Sequence, residues 1–307
     1  MDTVIELDRL TKNYGRRRGL SGLTLDIHRG EVFGFLGPNG AGKSTTIRLL
    51  LDLIRPTEGT ARVLGLDPHA DAVRLHRRVG YLPGDFVVPG RWTAGECLEY
   101  LTSLRGGVSR ARLTALAGRL DLDLGARIRS LSKGNRQKVG IVQAFAHEPE
   151  LLILDEPTSG LDPLVQQTFL RMVTEARAAG QTVFMSSHIM SEVERVADRV
   201  GIIREGRLVT LDTVAALREH AVRRVRLTFD RPVPAEGFAH LPGVVDASTQ
   251  GTTLHCRVEG SPDALLKAAA RHTVTDLLSE EPDLEELFFT YYEGAENGHE
   301  AGLTPGR

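Results

Sequence analysis

The sequence predicts an α/β protein in which a mostly parallel sheet, covered by helices, is followed by a small α+β domain. Short apolar runs alternate with segments of helical period up to about Val209, and a glycine-rich turn joins one of those runs to a helix. Beyond Val209 strict apolar/polar alternation takes over, the pattern of half-buried strands. At 307 residues the chain is long enough to bury a large core. Hydrophobic residues at 41%, charged residues at 25% and a formal net charge of -2 exclude a disordered or fibrous chain and argue against a basic nucleic-acid binder.

Val4-Ile5-Glu6-Leu7 and Leu23-Thr24-Leu25-Asp26-Ile27 alternate as short strands, and Arg29-Gly30 turns the chain into the apolar run Val32-Phe33-Gly34-Phe35-Leu36. Ile47, Leu50, Leu51 and Ile54 then fall at i, i+3, i+4 and i+7, one buried helix face, and Pro56 closes that helix. Trp92 to about Leu124 reads as helical and polar on one side. Leu151–Leu154 and Thr182–Met185 are short buried strands, each followed by a helical segment. Further on, Val225, Leu227 and Phe229 alternate with polar neighbours, Pro232 and Pro234 interrupt the chain, and Thr253–Val258 alternates again. A helix from Asp263 to Arg271, a strand from Val274 to Leu278 and a helix from Asp283 to Tyr292 complete the second unit. The expected domains are residues 1–218 and 219–293, with a tail at 294–307 that reads as disordered because it lacks apolar periodicity and is loaded with Gly, Glu and Pro.

The longest uncharged stretches, Val32–Gly42 and Gly180–Ser191, fall short of the ~18 apolar residues of a spanning helix. The N-terminal MDTVIELDRL carries acidic residues where a secretory signal has basic ones, so a cytoplasmic chain is expected. Cys97 and Cys256 have no short ligand spacing and read as free thiols, which leaves any metal to arrive with a ligand.

Gly37-Pro38-Asn39-Gly40-Ala41-Gly42-Lys43-Ser44-Thr45 fits the phosphate-loop pattern G-x-x-x-x-G-K-[ST] at every fixed position, between a predicted strand and a predicted helix. The chemistry follows from the residue types. Glycines let backbone N–H groups turn toward phosphate oxygens, Lys43 neutralises the β and γ phosphates, Ser44 ligates Mg2+, and the helix N-terminus adds a favourable dipole. The plainer reading, a glycine-rich turn alone, does not explain why strand and helix flank it. Leu151–Leu154 ends in Asp155 and Glu156. Asp155 is suited to hold Mg2+, and Glu156 to orient or deprotonate the water that attacks the γ phosphorus. Taken alone, two carboxylates after an apolar run are a strand end meeting solvent; beside a phosphate loop they read as catalytic.

Leu131-Ser132-Lys133-Gly134-Asn135 lies before the Asp155 strand, Ser159-Gly160-Leu161-Asp162 follows it, and His188 ends the next strand. Together with the phosphate loop these resemble the ATP-binding cassette (ABC) ATPases over roughly residues 2–215. The resemblance implies a P-loop NTPase cassette with an antiparallel β subdomain and a helical subdomain at about 86–135. It implies ATP and Mg2+ as ligands, and a head-to-tail dimer in which Ser132, Lys133, Gly134 and Asn135 of one chain approach the γ phosphate held by Lys43 of the other. It further implies that Tyr14 stacks on adenine, that Asp162 lies on the loop crossing the dimer, and that His188 contacts the γ phosphate and shares catalysis with Glu156 and Lys43. Without the resemblance, Tyr14 is a packing residue and His188 a structural histidine.

Two departures stand out. Where the family has a glutamine after the strand Tyr81-Leu82, this chain has Pro83, Gly84 and Asp85. Asp85 is a further candidate Mg2+ ligand through a water; Gly84 has no side chain to offer. The signature ends in Asn135 where glutamine is commoner.

The resemblance also implies a partner. Gly84–Leu124, with Trp92, Cys97, Leu98, Tyr100, Leu101 and Leu104, corresponds by position to the subdomain that receives a coupling helix from a transmembrane permease, although apolar spacing alone describes a packed insert equally well. Ser187–Glu194 and Glu280–Tyr292 look like the drug- and antibiotic-export branch, while the latter also reads as a helix with acidic residues at its start. The expectation is a homodimer at the cytoplasmic face of the membrane, coupled to permease subunits, with no nucleic acid. A soluble ABC ATPase acting on ribosomes or DNA is the alternative, disfavoured by one phosphate loop, no heptads and no basic patch.

Overall fold

The computed structural model describes residues 2–15, 17–88, 90–219 and 222–280. Its contacts divide the chain after Leu211 into two compact units.

In the first unit β1 (Thr3–Tyr14) and β2 (Arg17–His28) pair antiparallel along their whole length. β3 (Val32–Leu36), buried at every position, leads into α1 (Lys43–Leu50). That helix stops before Ile54, earlier than its apolar spacing predicts. Asp52 takes a left-handed conformation at φ 54°, and the N–H groups of Leu53 and Ile54 both turn back onto the Arg48 carbonyl. Ile54 still packs on the core, from outside the helix. β4 (Glu58–Val63) joins the other side of β1 to give a three-stranded antiparallel sheet ordered β2-β1-β4. Only Val63 of that strand is buried, so the sequence carries no apolar signal for it.

α2 (Ala72–Arg78) and β5 (Val79–Leu82) follow, then α3 (Ala94–Ser103) and α4 (Arg110–Arg119). The helical stretch expected from Trp92 to Leu124 is thus two helices. Gly106 and Gly107, at φ 100° and 84°, reverse the chain between them. Each helix has its own start signal: Thr93 and Glu96 form a capping box on α3, and Ser109 caps α4. α5 (Lys133–Phe145), β6 (Leu151–Asp155), α6 (Pro163–Ala178), β7 (Thr182–Ser187), α7 (Met190–Glu194), β8 (Arg199–Arg204) and β9 (Arg207–Thr213) complete the unit. The main sheet has six strands in the order β5-β6-β7-β3-β8-β9. Pairs β5/β6, β6/β7, β7/β3 and β3/β8 are parallel. Its centre is aromatic, with Phe184 5.9 Å from Phe33 and 5.4 Å from Phe35 between ring centroids. Ile5, Leu10, Leu20 and Leu23 of the antiparallel sheet share one core with Ile47 and Leu50 of α1 and Leu151 of β6. Burying those side chains from both sheets holds the phosphate-loop helix against two surfaces.

The second unit contains α8 (Val214–Glu219), β10 (Val222–Phe229), α9 (Glu236–Ala239), β11 (Val244–Gln250), β12 (Thr253–Glu259), α10 (Asp263–Ala269) and β13 (Val274–Ser279). Four antiparallel strands run β11-β12-β10-β13. Val225, Leu227 and Phe229 of β10 lie beside Leu254, Cys256 and Val258 of the neighbouring β12 and share one core with them, covered by Phe238 and Leu265 of the helices. β11 is an edge strand with no fully buried residue, which is why alternation does not reveal it. The expected helix at Asp283–Tyr292 and tail at 294–307 lie outside the described residues. Cys97 and Cys256 are buried free thiols, and burial pushes each up to about 11.

Candidate active site

The sheet order explains how distant motifs meet. β7 lies between β6 and β3, all parallel, with Asp155 in register with Ser186 and Leu36 with Ser187. The loop after β3, the carboxylates ending β6 and His188 after β7 therefore emerge at the same edge, the carboxyl ends where open α/β sheets bind ligands.

Gly42 precedes α1 at φ 117°, a backbone conformation closed to other residues, and its carbonyl accepts from Thr46 Oγ1 at 3.1 Å. The Lys43 side chain is 5% exposed. Its Nζ donates to the carbonyls of Gly37 and Pro38 and lies 3.1 Å from Glu156 Oε1, an ion pair rather than a well-directed hydrogen bond. A buried ammonium persists because it is paired in this way.

Glu156 takes φ 46°, unusual for a residue with a side chain and a cost on the order of 1 kcal/mol. Its N–H is held by the Ser186 carbonyl at 3.2 Å and Ser186 Oγ at 3.1 Å. The strained turn aims the carboxylate into the loop, where Oε2 meets His188 Nδ1 at 2.6 Å. Asp155, 6% exposed, accepts from Ser186 Oγ at 2.6 Å through Oδ1. One serine thus sets both carboxylates. Beside Asp155 Oδ2 passes Gly84, where an added Cβ would stand 3.5 Å away; Asp85, the next residue, is exposed. The Tyr81 phenol is pushed up to about 12, first by burial, then by the Asp155 charge, with Arg48 opposing.

The loop, from Pro38 to Thr45, borders a cleft of about 450 Å³ with Tyr14, Arg48 and Glu156. Tyr14 is an exposed ring with Lys12 Nζ 5.4 Å from its centroid. Gly19 lies against it, so close that a Cβ there would sit 2.8 Å from the ring. A flat aromatic at one end and a phosphate loop at the other match the two ends of a nucleotide.

Not every expected residue joins this cleft. Gly37, Ala41, Asp155 and His188 do not line it but stand at its edge through Lys43, Ser186 and Glu156, whereas Ser132, Lys133, Gly134, Asn135 and Asp162 are absent from its lining and make their contacts elsewhere. Ser132 caps α5 by accepting from Asn135 N–H at 3.1 Å, and Asp162 caps α6 by accepting from Leu164 and Val165 at 3.1 and 3.0 Å. Gly134 packs directly on the Gly160 carbonyl, and Lys133 Nζ reaches Ser159 Oγ at 3.1 Å. The signature and the Ser159–Asp162 turn therefore contact each other within one chain. On the α3 surface Cys97 and Leu98 are core residues, whereas Tyr100, packed 4.8 Å from Trp92 between centroids, and Leu104 are exposed.

Arg48, Ser186 and Gln137 escape the sequence reading. Arg48 had a signal, since it lies at i+4 from Ser44 on the same helix face. Ser186 and Gln137, whose Nε2 donates to the Pro157 carbonyl at 3.2 Å, act through contacts between segments far apart in the chain.

Residues 20–159 match the family model described as ABC transporter. The bacitracin transport ATP-binding protein of Enterococcus faecalis is 37% identical over 238 residues, 75% of each chain. The Nod factor export ATP-binding protein I of Paraburkholderia xenovorans is 33% identical over 265 residues, 84% of this chain and 86% of that one. A solved structure of the ATP-binding subunit of an ABC transporter is similar with a TM-score of 0.65 and 33% identity, over 70% of this chain and 92% of the other. The chain belongs to the ABC transporter family. It is an ATP-binding ATPase of that family, and its α/β cassette is the expected fold. Among the described residues no helix is long and apolar enough to cross a membrane.

Proposed function

We propose that this chain hydrolyses ATP as one half of a homodimer and drives a separate transmembrane permease, exporting a drug, antibiotic or other hydrophobic compound from the cytoplasmic face of the membrane. The observation that carries the reading is Glu156 held between Lys43 at 3.1 Å and His188 at 2.6 Å, at the mouth of a phosphate loop. Phosphate oxygens entering the loop compete with the Glu156 carboxylate for Lys43. Displaced, that carboxylate is free to accept a proton from the attacking water, while a ring N–H of His188 donates a hydrogen bond to a γ-phosphate oxygen.

The donor set suits Mg2+. Asp155 and the Ser44 hydroxyl are hard oxygen donors at the loop, and Mg2+ is commonly held by one or two carboxylates with substrate phosphates completing its shell. Mg2+ there would neutralise phosphate charge, and the residues' own part is to hold it; Asp85 is a secondary candidate.

That Ser132 is exposed at the start of α5, where its contacts are to its own helix and not to Lys43 or Glu156, supports a site completed by a second copy. Exposed Tyr100 and Leu104 on α3 are the side chains offered to the permease. Export, rather than import, is supported by the names of the relatives, one a Nod factor export protein. The Glu156→Gln chain, mixed with ATP and Mg2+, should retain nucleotide, lose at least about 100-fold in phosphate release, and double its mass from 33.6 kDa by light scattering. Normal turnover would remove Glu156 from its catalytic role.

A further inference from the structure

Glu192 takes no part in the chemistry above, yet it is only 8% exposed. A carboxylate in such a place persists only where donors are supplied to it. The two it has come from different segments: Thr158 Oγ1 at 2.6 Å and Ser187 Oγ at 3.4 Å. Ser187 adjoins His188, and its Oγ also accepts from the Ile189 N–H at 3.0 Å. Thr158 stands two residues after Glu156 and is itself buried. It opens the turn closed by Leu161 N–H on its carbonyl at 3.0 Å, the turn against which Gly134 of α5 packs.

Packing alone does not call for a carboxylate here. The neighbours of Glu192 on α7, Met190 and Val193, are buried and apolar, and an apolar pair in place of Glu192 and Thr158 would fill the space without burying a charge. What a carboxylate adds is direction. A short hydroxyl-to-carboxylate bond fixes distance and angle between two segments that carry different functional groups.

We propose that Glu192 is a positioning residue, stapling the Glu156–Asp162 turn to the strand end that carries His188 so that both move as one body. The inference rests on the catalytic reading of Glu156 and His188 given above. Through the staple, a shift of His188 toward a γ phosphate is passed to the turn on which the signature helix rests, and the reverse.

The test uses the full chain and four variants, Glu192→Gln, Thr158→Val, Thr158→Ser and the Glu192→Gln/Thr158→Val double, with Glu156→Gln as reference. For each, kcat, the Kd for a fluorescent ATP analogue and the Tm are measured. Glu192→Gln and Thr158→Val should each lower kcat about tenfold with Kd unchanged within about twofold, and the double variant should be no slower than the worse single. Thr158→Ser, which keeps the hydroxyl, should restore kcat. A loss of Tm without this split between kcat and Kd would mark a merely structural role and overturn the proposal. So would losses that multiply in the double variant, or a wild-type kcat in Glu192→Gln beside an inactive Glu156→Gln. Activity retained by Glu156→Gln would instead overturn the catalytic reading itself. If Glu192→Gln does not fold, Thr158→Val carries the same comparison.

Discussion

Lys43 and Glu156 place opposite charges 3.1 Å apart beside the phosphate loop, so the ammonium is neutralised before any phosphate arrives. Lys43, Ser44, Asp155 and Glu156 could be named from the sequence because each sits inside a short motif whose spacing the chemistry dictates. Ser186 could not, since a serine at the end of an apolar strand carries no local mark and its role exists only through register with Asp155. Another residue the motifs miss is His147, whose ring nitrogens are both buried without a well-formed hydrogen bond. Burial, with a smaller contribution from Arg105, depresses it from 6.5 to about 4. The sign follows by linkage. The unfolded chain binds the proton at higher pH than the folded one, so stability is full above the unfolded value of 6.5 and is lost as pH falls toward about 4. Glu150, held low by its hydrogen bond with Arg78, adds stability that is full above its ordinary 4.5 and is lost only as pH falls below that, outside this window. Urea midpoints should therefore fall between pH 7 and pH 5, and His147→Leu should flatten that dependence. An equal slope in the variant would assign the effect elsewhere.

At the scale of elements the apolar runs Val32–Leu36, Leu151–Leu154 and Thr182–Met185 were legible because buried parallel strands need little else. Element ends were less so. The end of α1 is set by a left-handed Asp52, and the break between α3 and α4 by Gly106-Gly107, neither of which interrupts the hydrophobic pattern. β4 and β11 were invisible, one with a single buried residue and the other with none. One tight contact between functional elements is Gly134 of α5 on the Gly160 carbonyl, where a Cβ has no room. Gly134→Ala must push α5 from the turn or distort both. We expect it to destabilise the chain by about 1–3 kcal/mol in denaturant titrations and to depress ATPase activity, whereas an unchanged midpoint would mean that the turn yields freely.

For the whole molecule, the cassette fold could be inferred from the motifs. That one chain leaves the signature outside its own cleft was expected only through the family resemblance, because spacing along a sequence says nothing about which copy a residue serves. A composite site makes a distinctive prediction. Ser132→Arg should abolish hydrolysis in the closed pair while leaving the affinity of the open chain for ATP within about twofold, since Ser132 is exposed, caps its own helix and does not line the cleft of its own chain. Retained ATPase activity would argue for a site complete within one chain. The larger claim, that closure does work on a membrane partner, is tested most directly by purifying the tagged Glu156→Gln chain with ATP and Mg2+ from a mild detergent extract of the source cells and weighing what accompanies it. A polytopic membrane protein in stoichiometric amount is the predicted result; ribosomal proteins or DNA with no membrane partner would contradict it.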